Sequence, residues 1–314
     1  MKKSRLLVLT GPTAIGKSSV AIRIALMVDG EIVSADSMQV YKSMDIGTAK
    51  PHPEDLRKVP HHLIDIVRPD QEFSVAGYQG KARQAIADIV QRKKLPILVG
   101  GSGLYIRAAI DKLEFPGGTR SSKIRKSLEA KMEQTGPEEL HGKLKELDPK
   151  AAANIHPGNT RRVIRALEVM ESTGCLFSDF QKEWFSWESI YEVVIVALRL
   201  PRSELYAKID ARVDKMISDG LVEEVQDLVA RGYGEAITSR QALGYGQVWD
   251  YLENKISLEE CTGLIKQYSR NFAKRQLTWL RRDPRIHWTD VGGKSSEQIA
   301  QEIIDYLRAK EFIG

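Results

Sequence analysis

The chain begins with a pattern of residues that binds phosphate groups in many proteins. Residues 11–18 match the motif G-x-x-x-x-G-K-[ST]. In this motif the glycines let backbone N–H groups turn toward an anion, Lys17 would neutralise a terminal phosphate, and the Ser18 hydroxyl would bind Mg²⁺. The predicted phosphate loop consists of Gly11, Pro12, Thr13, Ala14, Ile15, Gly16, Lys17 and Ser18. The alternative interpretation is a glycine-rich turn that binds nothing.

A single carboxylate follows a second apolar segment. Asp36 comes directly after residues 31–35, which predict a short buried strand. A carboxylate at this strand end, opposite the phosphate loop, is well placed to accept a proton from an acceptor substrate. We therefore interpret Asp36 as a general base; a helix cap or a carboxylate that contacts Mg²⁺ through water are the alternatives. A motor ATPase would also place an acid after a later strand, but residues 96–99 are followed by Gly-Gly-Ser-Gly.

Strands and helices alternate in the part of the chain that carries these residues. Residues 5–10, 31–35 and 96–99 read as buried strands, whereas residues 18–28 and 74–94 have helical spacing. Another strand is predicted at residues 191–198, followed by one long helix at 203–231. This alternation predicts an α/β protein with a P-loop NTPase-like core, in which a parallel sheet is flanked by helices.

The middle of the chain has a different character. Residues 116–188 contain few β-branched runs and mostly polar helical patterns, with breaks at Gly-Pro and Pro-Gly pairs. We therefore predict a mainly helical insertion domain at 116–188. The core would be discontinuous, comprising residues 1–115 and 189–314, with helices toward the C-terminus whose basic residues are considered below.

Composition excludes several classes of protein. Of 314 residues, 42% are hydrophobic and the formal net charge is +5, which is typical of a globular domain rather than a disordered chain. The two cysteines, Cys175 and Cys261, are far apart, which excludes a disulfide scaffold. No apolar run reaches the roughly 18 residues of a membrane helix. We expect a cytoplasmic protein that does not associate with membranes.

Basic residues cluster in two regions that could bind RNA. From residue 264 to 288, arginines and lysines alternate with aromatic side chains, a combination that suits phosphate contacts and stacking on unpaired bases. A solvated helix with tryptophans in the core is the alternative. The second region is 161–165.

Seven segments in this order resemble bacterial tRNA dimethylallyltransferases, also called tRNA isopentenyltransferases. They are the phosphate loop and residues 34–41 (SADSMQVY), 44–51 (MDIGTAKP), 61–65 (HHLID), 100–105 (GGSGLY), 161–168 (RRVIRALE) and 275–281 (RQLTWLR). The resemblance extends over nearly the whole chain. It implies transfer of a dimethylallyl group from dimethylallyl diphosphate to N6 of adenosine 37 in the tRNA anticodon stem-loop. It also implies dependence on Mg²⁺, and we expect a monomer.

The resemblance assigns roles to individual residues. It implies that the phosphate loop holds the donor's diphosphate, that Asp36 is the base, and that Ser102 stands where the family commonly has threonine. The catalytic set would be Asp36, Lys17, Thr13, Arg125 and Ser102. The tRNA-binding set would be Asp36, Ser37, Met38, Gln39, Ser102, Arg125, Arg161, Arg162, Val163, Ile164, Arg165, Arg240, Lys274, Arg275, Gln276 and Arg281.

Three assignments leave alternatives open. The resemblance places residues 240–245 near the anticodon loop, and a turn between helices is the alternative. A basic residue early in the insertion is expected near the diphosphate, and Arg125 is our choice, although Arg120 and Lys123 are close in sequence. Thr13 could donate a hydrogen bond to the bridging oxygen of the donor, or it could only shape the turn.

Three other functions compete with tRNA prenylation. A small-molecule kinase would use ATP and Asp36 but would leave the arginine clusters without a role. A nucleotide-gated RNA-binding protein would explain the charge but not Asp36. An adenylate isopentenyltransferase would share the donor, yet its mononucleotide acceptor would need no second basic surface.

Overall fold

The computed structural model describes residues 3–115, 122–234 and 242–314. Its internal contacts divide the chain into two compact units. One unit contains Met1–Ile110 and Ser189–Gly314, and the other contains Asp111–Glu188.

Six strands of the first unit form one parallel sheet, which confirms the predicted α/β class. They are β1 (Arg5–Thr10), β2 (Gly30–Ser34), β3 (His61–His62), β4 (Leu95–Gly100), β5 (Glu192–Arg199) and β6 (Ile286–Asp290). Their order across the sheet is β3-β2-β4-β1-β5-β6. The central strand β1 is fully buried from Leu6 to Leu9, which explains its unbroken apolar sequence. Its C-terminal end is continuous with the phosphate loop.

The helices of the described residues follow the same chain order. They are α1 (Lys17–Val28), α2 (Pro53–Lys58), α3 (Val75–Gln91), α4 (Gly103–Ile110), α5 (Ser122–Thr135), α6 (Pro137–Leu147), α7 (Pro149–Asn154), α8 (Thr160–Thr173), α9 (Arg202–Ser218), α10 (Leu221–Ala230), α11 (Tyr245–Leu252), α12 (Leu258–Leu280) and α13 (Ser296–Ala309). Helices α5–α8 belong to the second unit. None of the helices in the described ranges combines the length and apolar character of a membrane span.

The prediction of a single helix at 203–231 is wrong, because the chain forms two helices there. Gly220 adopts φ +101°, a left-handed conformation that ends the α-helical path between α9 and α10. The apolar residues at 205–228 continue with helical spacing through the break, so the spacing alone did not reveal it. The break separates the helix that reaches the phosphate loop from the helix that holds a neighbouring loop, as described below.

The second unit is helical in its described residues. Its core contains Leu128, Leu140, Leu144 and Leu167, which come from α5, α6 and α8. Asp148 caps α7 by accepting a hydrogen bond from the N–H of Ala151 at 3.0 Å. A short 3₁₀ segment, Phe177–Phe185, follows α8.

Candidate active site

The phosphate loop connects the end of β1 to the start of α1. Gly11 has φ +145°, and a Cβ at this position would lie 2.9 Å from the carbonyl oxygen of Leu198 on β5. Gly16, immediately before α1, has φ +95°. Both positions therefore require glycine, and they bring the loop to the N-terminal end of a helix, where backbone N–H groups attract anions.

The Lys17 side chain folds back over this loop. Its Nζ donates hydrogen bonds to the carbonyl oxygens of Gly11 at 3.0 Å and Pro12 at 2.8 Å. Desolvation by burial, assisted by the positive charge of Arg212, lowers the pKa of Lys17 to about 8, although Asp36 acts in the opposite direction. An anion bound in the loop would stabilise the protonated amine.

Arg212 is a second cation at the loop, and the sequence analysis missed it. Its Nη1 donates to the Thr13 hydroxyl oxygen at 3.2 Å. Burial lowers the pKa of the guanidinium, and Asp36 partly offsets this effect. Arg212 follows the buried Ile209 by three residues and so lies on the inward face of α9, which was the available signal.

Gln276 joins the phosphate loop to the turn after β4. The Thr13 N–H donates to its Oε1 at 2.9 Å, and its Nε2 donates to the carbonyl oxygen of Gly101 at 3.0 Å. The side chain is 7% exposed, so the amide is occupied inside the protein. The resemblance places Gln276 in the tRNA-binding set, whereas its polar side-chain atoms here are bonded to the backbone of the phosphate loop and of the turn after β4.

Asp36 lies in a turn directly after β2 and Ala35. Its Oδ1 accepts hydrogen bonds from the N–H groups of Met38 at 2.8 Å and Gln39 at 3.4 Å, so one oxygen does cap the local turn. No hydrogen bond from another described residue reaches its Oδ2. One carboxylate oxygen thus orients the group, while the other is available to accept a proton.

Ser102 ties this turn to β4. Its hydroxyl oxygen accepts from the Ser37 N–H at 3.2 Å and lies 3.3 Å from the Ser37 hydroxyl. Hydrogen bonds therefore join Ser37, next to Asp36, to Ser102. Gly101, the neighbour of Ser102, is joined through Gln276 to Thr13 of the phosphate loop. The ends of three adjacent strands, β2, β4 and β1, are thereby connected.

The residues present fit a Mg²⁺ ion held jointly with a phosphate ligand. Ser18 is exposed in the first turn of α1, and no hydrogen bond within the described residues occupies its hydroxyl. Within the described ranges, no group of three His, Cys, Asp or Glu side chains could hold a metal alone. Mg²⁺ commonly binds through few protein ligands together with substrate phosphates and water.

The basic cluster of the helical unit contains both exposed and paired residues. Arg161 and Arg162 are exposed on α8. Arg165 donates to the buried Glu168 at 3.0 Å, and Arg125 donates to Glu129 at 2.9 Å. A second nitrogen of Arg125 lies 3.6 Å from Glu168.

The side chains of Val163 and Ile164, which the resemblance places in the tRNA-binding set, are buried. They are 1% and 3% exposed and lie in the core of the helical unit. Arg161 and Arg162 face solvent because α8 is amphipathic, while the intervening apolar residues stabilise the unit.

Helix α12 presents a basic, partly aromatic groove. The groove is lined by Asn271, Lys274, Arg275, Thr278, Trp279 and Arg282. Lys274, Arg275 and Arg281 are exposed, as RNA binding requires. Trp279 also packs against Gly103, where a Cβ would lie 2.2 Å from the indole ring. Arg240 and Arg120 lie outside the described residues.

The fold and this site define a P-loop α/β protein with a carboxylate near its phosphate cradle. A model of the IPP transferase family matches residues 39–283. The chain is 48% identical to a tRNA dimethylallyltransferase of Carboxydothermus hydrogenoformans, over 98% of this chain and 99% of the relative. It therefore belongs to the IPP transferase family, whose members are prenyl-transferring enzymes.

Solved structures agree with this assignment. The full-length tRNA isopentenylpyrophosphate transferase of Bacillus halodurans is 42% identical and superposes with a TM-score of 0.73, covering 98% of this chain and 97% of its own. A eukaryotic dimethylallyltransferase acting on tRNA is 27% identical, with a TM-score of 0.81, over 98% of this chain and 80% of its own. The predicted family is confirmed.

Proposed function

We propose that this protein transfers a dimethylallyl group from dimethylallyl diphosphate to N6 of adenosine 37, beside the tRNA anticodon. The observation that carries the proposal is the juxtaposition of a phosphate loop, two cations and a carboxylate with an available oxygen. The negative charge of Asp36 raises the pKa of both Lys17 and Arg212, opposing the effect of burial. Hydrogen bonds link the turn that carries Asp36 to the phosphate loop. The names and coverage of the relatives support the same reaction.

The cations act on the leaving group. As the bond between the allylic carbon and the diphosphate oxygen breaks, negative charge grows on the diphosphate. Lys17, Arg212 and the loop N–H groups stabilise that charge where it develops. The Thr13 hydroxyl accepts from Arg212, so its own proton can be donated to the bridging oxygen. Ser18 would hold Mg²⁺ together with oxygens of the diphosphate, and the ion would supply additional positive charge there.

Asp36 acts on the nucleophile. The adenine N6 lone pair is delocalised into the ring, so N6 attacks weakly unless its proton is removed. The bond from N6 to the allylic carbon forms while the N6 proton passes to Asp36 Oδ2. Such a base typically contributes about 10²–10⁴-fold to the rate. The kinase alternative would need the same carboxylate but does not use the basic surfaces.

Basic side chains of both units bind the RNA in this proposal. Arg161, Arg162 and Arg165 of α8 contact phosphates. Lys274 and Arg275 of α12, together with Arg281 directly after that helix, contact the tRNA. Base extrusion from a single-stranded loop costs only a few kcal/mol, which such contacts offset. Arg125 is assigned to the diphosphate and Arg240 to the tRNA on the family resemblance.

A labelling experiment tests the proposal. The protein is mixed with unmodified tRNA, radiolabelled dimethylallyl diphosphate and Mg²⁺, and label in RNA is measured after nuclease digestion. We expect label in the nucleoside of position 37 and none in a transcript that carries guanosine there. Hydrolysis of ATP without labelling of RNA would instead support the kinase or the gated RNA-binding protein. Labelling of AMP in place of tRNA would support the adenylate isopentenyltransferase.

A further inference from the structure

A carboxylate outside the phosphate loop accepts four hydrogen bonds. Glu224, in the first turn of α10, accepts from the N–H groups of Asp45 at 2.8 Å and Ile46 at 2.7 Å through Oε2. Its Oε1 accepts from the Gly47 N–H at 3.2 Å and from the Tyr245 hydroxyl at 2.6 Å. Three consecutive backbone donors thus converge on one side chain that is distant in sequence.

The segment held in this way packs closely against the Tyr245 ring. A Cβ at Gly47 would lie 2.4 Å from that ring, so the backbone comes into direct contact with the ring. Tyr245 is 2% exposed, and burial together with the neighbouring Glu224 raises the pKa of its hydroxyl well above the usual value. The tyrosine therefore stays a neutral donor to Glu224.

The same segment holds Gln39 from the other side. Gln39 Nε2 donates to the carbonyl oxygens of Thr48 at 3.3 Å and Ala49 at 3.2 Å. Its Oε1 accepts from the Ser34 hydroxyl at 3.0 Å, and that hydroxyl oxygen accepts from the Asp36 N–H at 3.3 Å. The Gln39 N–H in turn donates to Asp36 Oδ1. Hydrogen bonds therefore lead from Glu224 through residues 45–49 and Gln39 to the turn that carries Asp36.

We propose that Glu224 is a positioning residue for Asp36, acting through the segment 45–49 and Gln39. The inference rests on the proposed function, because it assigns Asp36 to the reaction. A carboxylate suits this position because its two oxygens accept from all four hydrogen-bonding partners, each of which is a donor. A glutamine would turn an NH₂ group toward one pair of these donors and leave them unpaired in a partly buried place. The segment 45–49 would then lose its fixed position, and the Asp36 carboxylate would as a result lose its fixed orientation.

The test compares Glu224→Gln with Glu223→Gln. The control residue is adjacent, exposed and in the same helical turn, and it undergoes the same change of charge. We measure the single-turnover rate of dimethylallyl transfer, the Kd of dimethylallyl diphosphate and amide hydrogen exchange at residues 45–47. For Glu224→Gln we expect at least about a tenfold lower rate, a donor Kd within about twofold of wild type, and faster exchange at 45–47. Glu223→Gln should match wild type in all three.

A double-mutant cycle separates positioning of Asp36 from a general loss of stability. Combined with Asp36→Asn, Glu224→Gln should lower the remaining rate by less than about twofold, because the group it positions is already absent. Full multiplication of the two effects, or a Glu224→Gln rate equal to that of Glu223→Gln, would overturn the proposal.

A milder variant covers the case in which Glu224→Gln does not fold. Tyr245→Phe removes one of the four donors and keeps the ring against Gly47. It should lower the rate by about threefold without changing the donor Kd; an unchanged rate would contradict the inference. If the wild-type protein labels no RNA, the proposed function fails, whereas unchanged exchange at 45–47 in Glu224→Gln refutes the anchoring itself.

Discussion

At the scale of single residues, the two oxygens of Asp36 have different hydrogen-bonding environments. Oδ1 is held by two backbone N–H groups, whereas Oδ2 accepts nothing from the described residues. This division fixes the orientation of the carboxylate without using up its ability to accept a proton. It also shows that the cap and the base, which the sequence presented as alternatives, are compatible in one side chain.

Replacing Asp36 should therefore separate catalysis from binding. Asp36→Asn keeps the size and the acceptor oxygen of the side chain but removes the base, so we expect the transfer rate to fall by about 10²–10⁴-fold. The Kd for tRNA, measured by filter binding, should change by less than about threefold. An equal loss of rate and affinity would instead make Asp36 a binding residue.

The lowered pKa of Lys17 predicts that binding of dimethylallyl diphosphate depends on pH. Its pKa in the free protein is lowered to about 8, so the amine is charged below that pH and neutral above it. A bound diphosphate stabilises the charged form, and binding above that pH must therefore take up a proton. The donor Kd, measured by calorimetry, should rise by up to about tenfold per pH unit above the pKa.

Lys17→Arg is the matched control for this pH dependence. The guanidinium remains charged throughout the same range, so the donor Kd should lose most of its rise at alkaline pH. If the variant keeps the wild-type pH profile, another group is responsible for the titration.

At the scale of elements, the site depends on one residue of α12. Gln276 lies on the same helix as the exposed Lys274 and Arg275, but it points inward and joins the phosphate loop to the turn after β4. Helix α12 therefore contributes exposed cations to the basic surface and, through the two hydrogen bonds of Gln276, a connection between the two loops of the donor site. In the proposed reaction, the same helix would contact tRNA and support the site that binds the donor.

Gln276→Met should break the connection between the phosphate loop and the turn after β4. The substitution keeps the approximate volume but leaves the Thr13 N–H and the Gly101 carbonyl without partners, each costing about 1–3 kcal/mol. We expect a lower midpoint of thermal unfolding and a weaker donor Kd. Asn271→Met, on the exposed side of α12, should change the unfolding free energy by no more than about 0.5 kcal/mol; equal destabilisation by both variants would argue against this connection.

At the scale of the whole molecule, RNA binding is proposed to use basic surfaces from both compact units. The net charge of +5 is modest for 314 residues, so the local distribution of charge matters more than the total. Exposed arginines and lysines are present on α8 and on α12. Phosphate contacts by such residues make binding depend strongly on salt.

Removing two of these charges should reduce that dependence. Arg161→Gln combined with Arg162→Gln should weaken tRNA binding and lower the slope of log Kd against log salt by about 1.4–1.8. Lys145→Gln combined with Lys150→Gln removes the same charge from exposed positions of the same unit and should leave the slope unchanged. An unaltered slope for the arginine pair would contradict its placement at the RNA.

Much of the fold was accessible from local patterns. The apolar runs predicted β1, β2, β4 and β5 to within one residue at each end, and the helical spacing at 74–94 predicted α3. The two-residue β3 and the strand β6 were missed, because β6 contains His287 and alternates exposed with buried positions. Hydrophobic runs reveal central strands buried on both faces more readily than edge strands.

The phosphate loop and the carboxylate after β2 can be recognised from the sequence, because the conformation of each is determined by residues only a few positions away. Arg212, Gln276 and Glu224 acquire their roles from partners 199, 263 and 177–179 positions distant. A helical pattern specifies which face is buried, but not which distant loop that face will meet. That pairing arises when α9, α10 and α12 pack around the sheet, so these three side chains became recognisable as parts of the site only in the folded molecule.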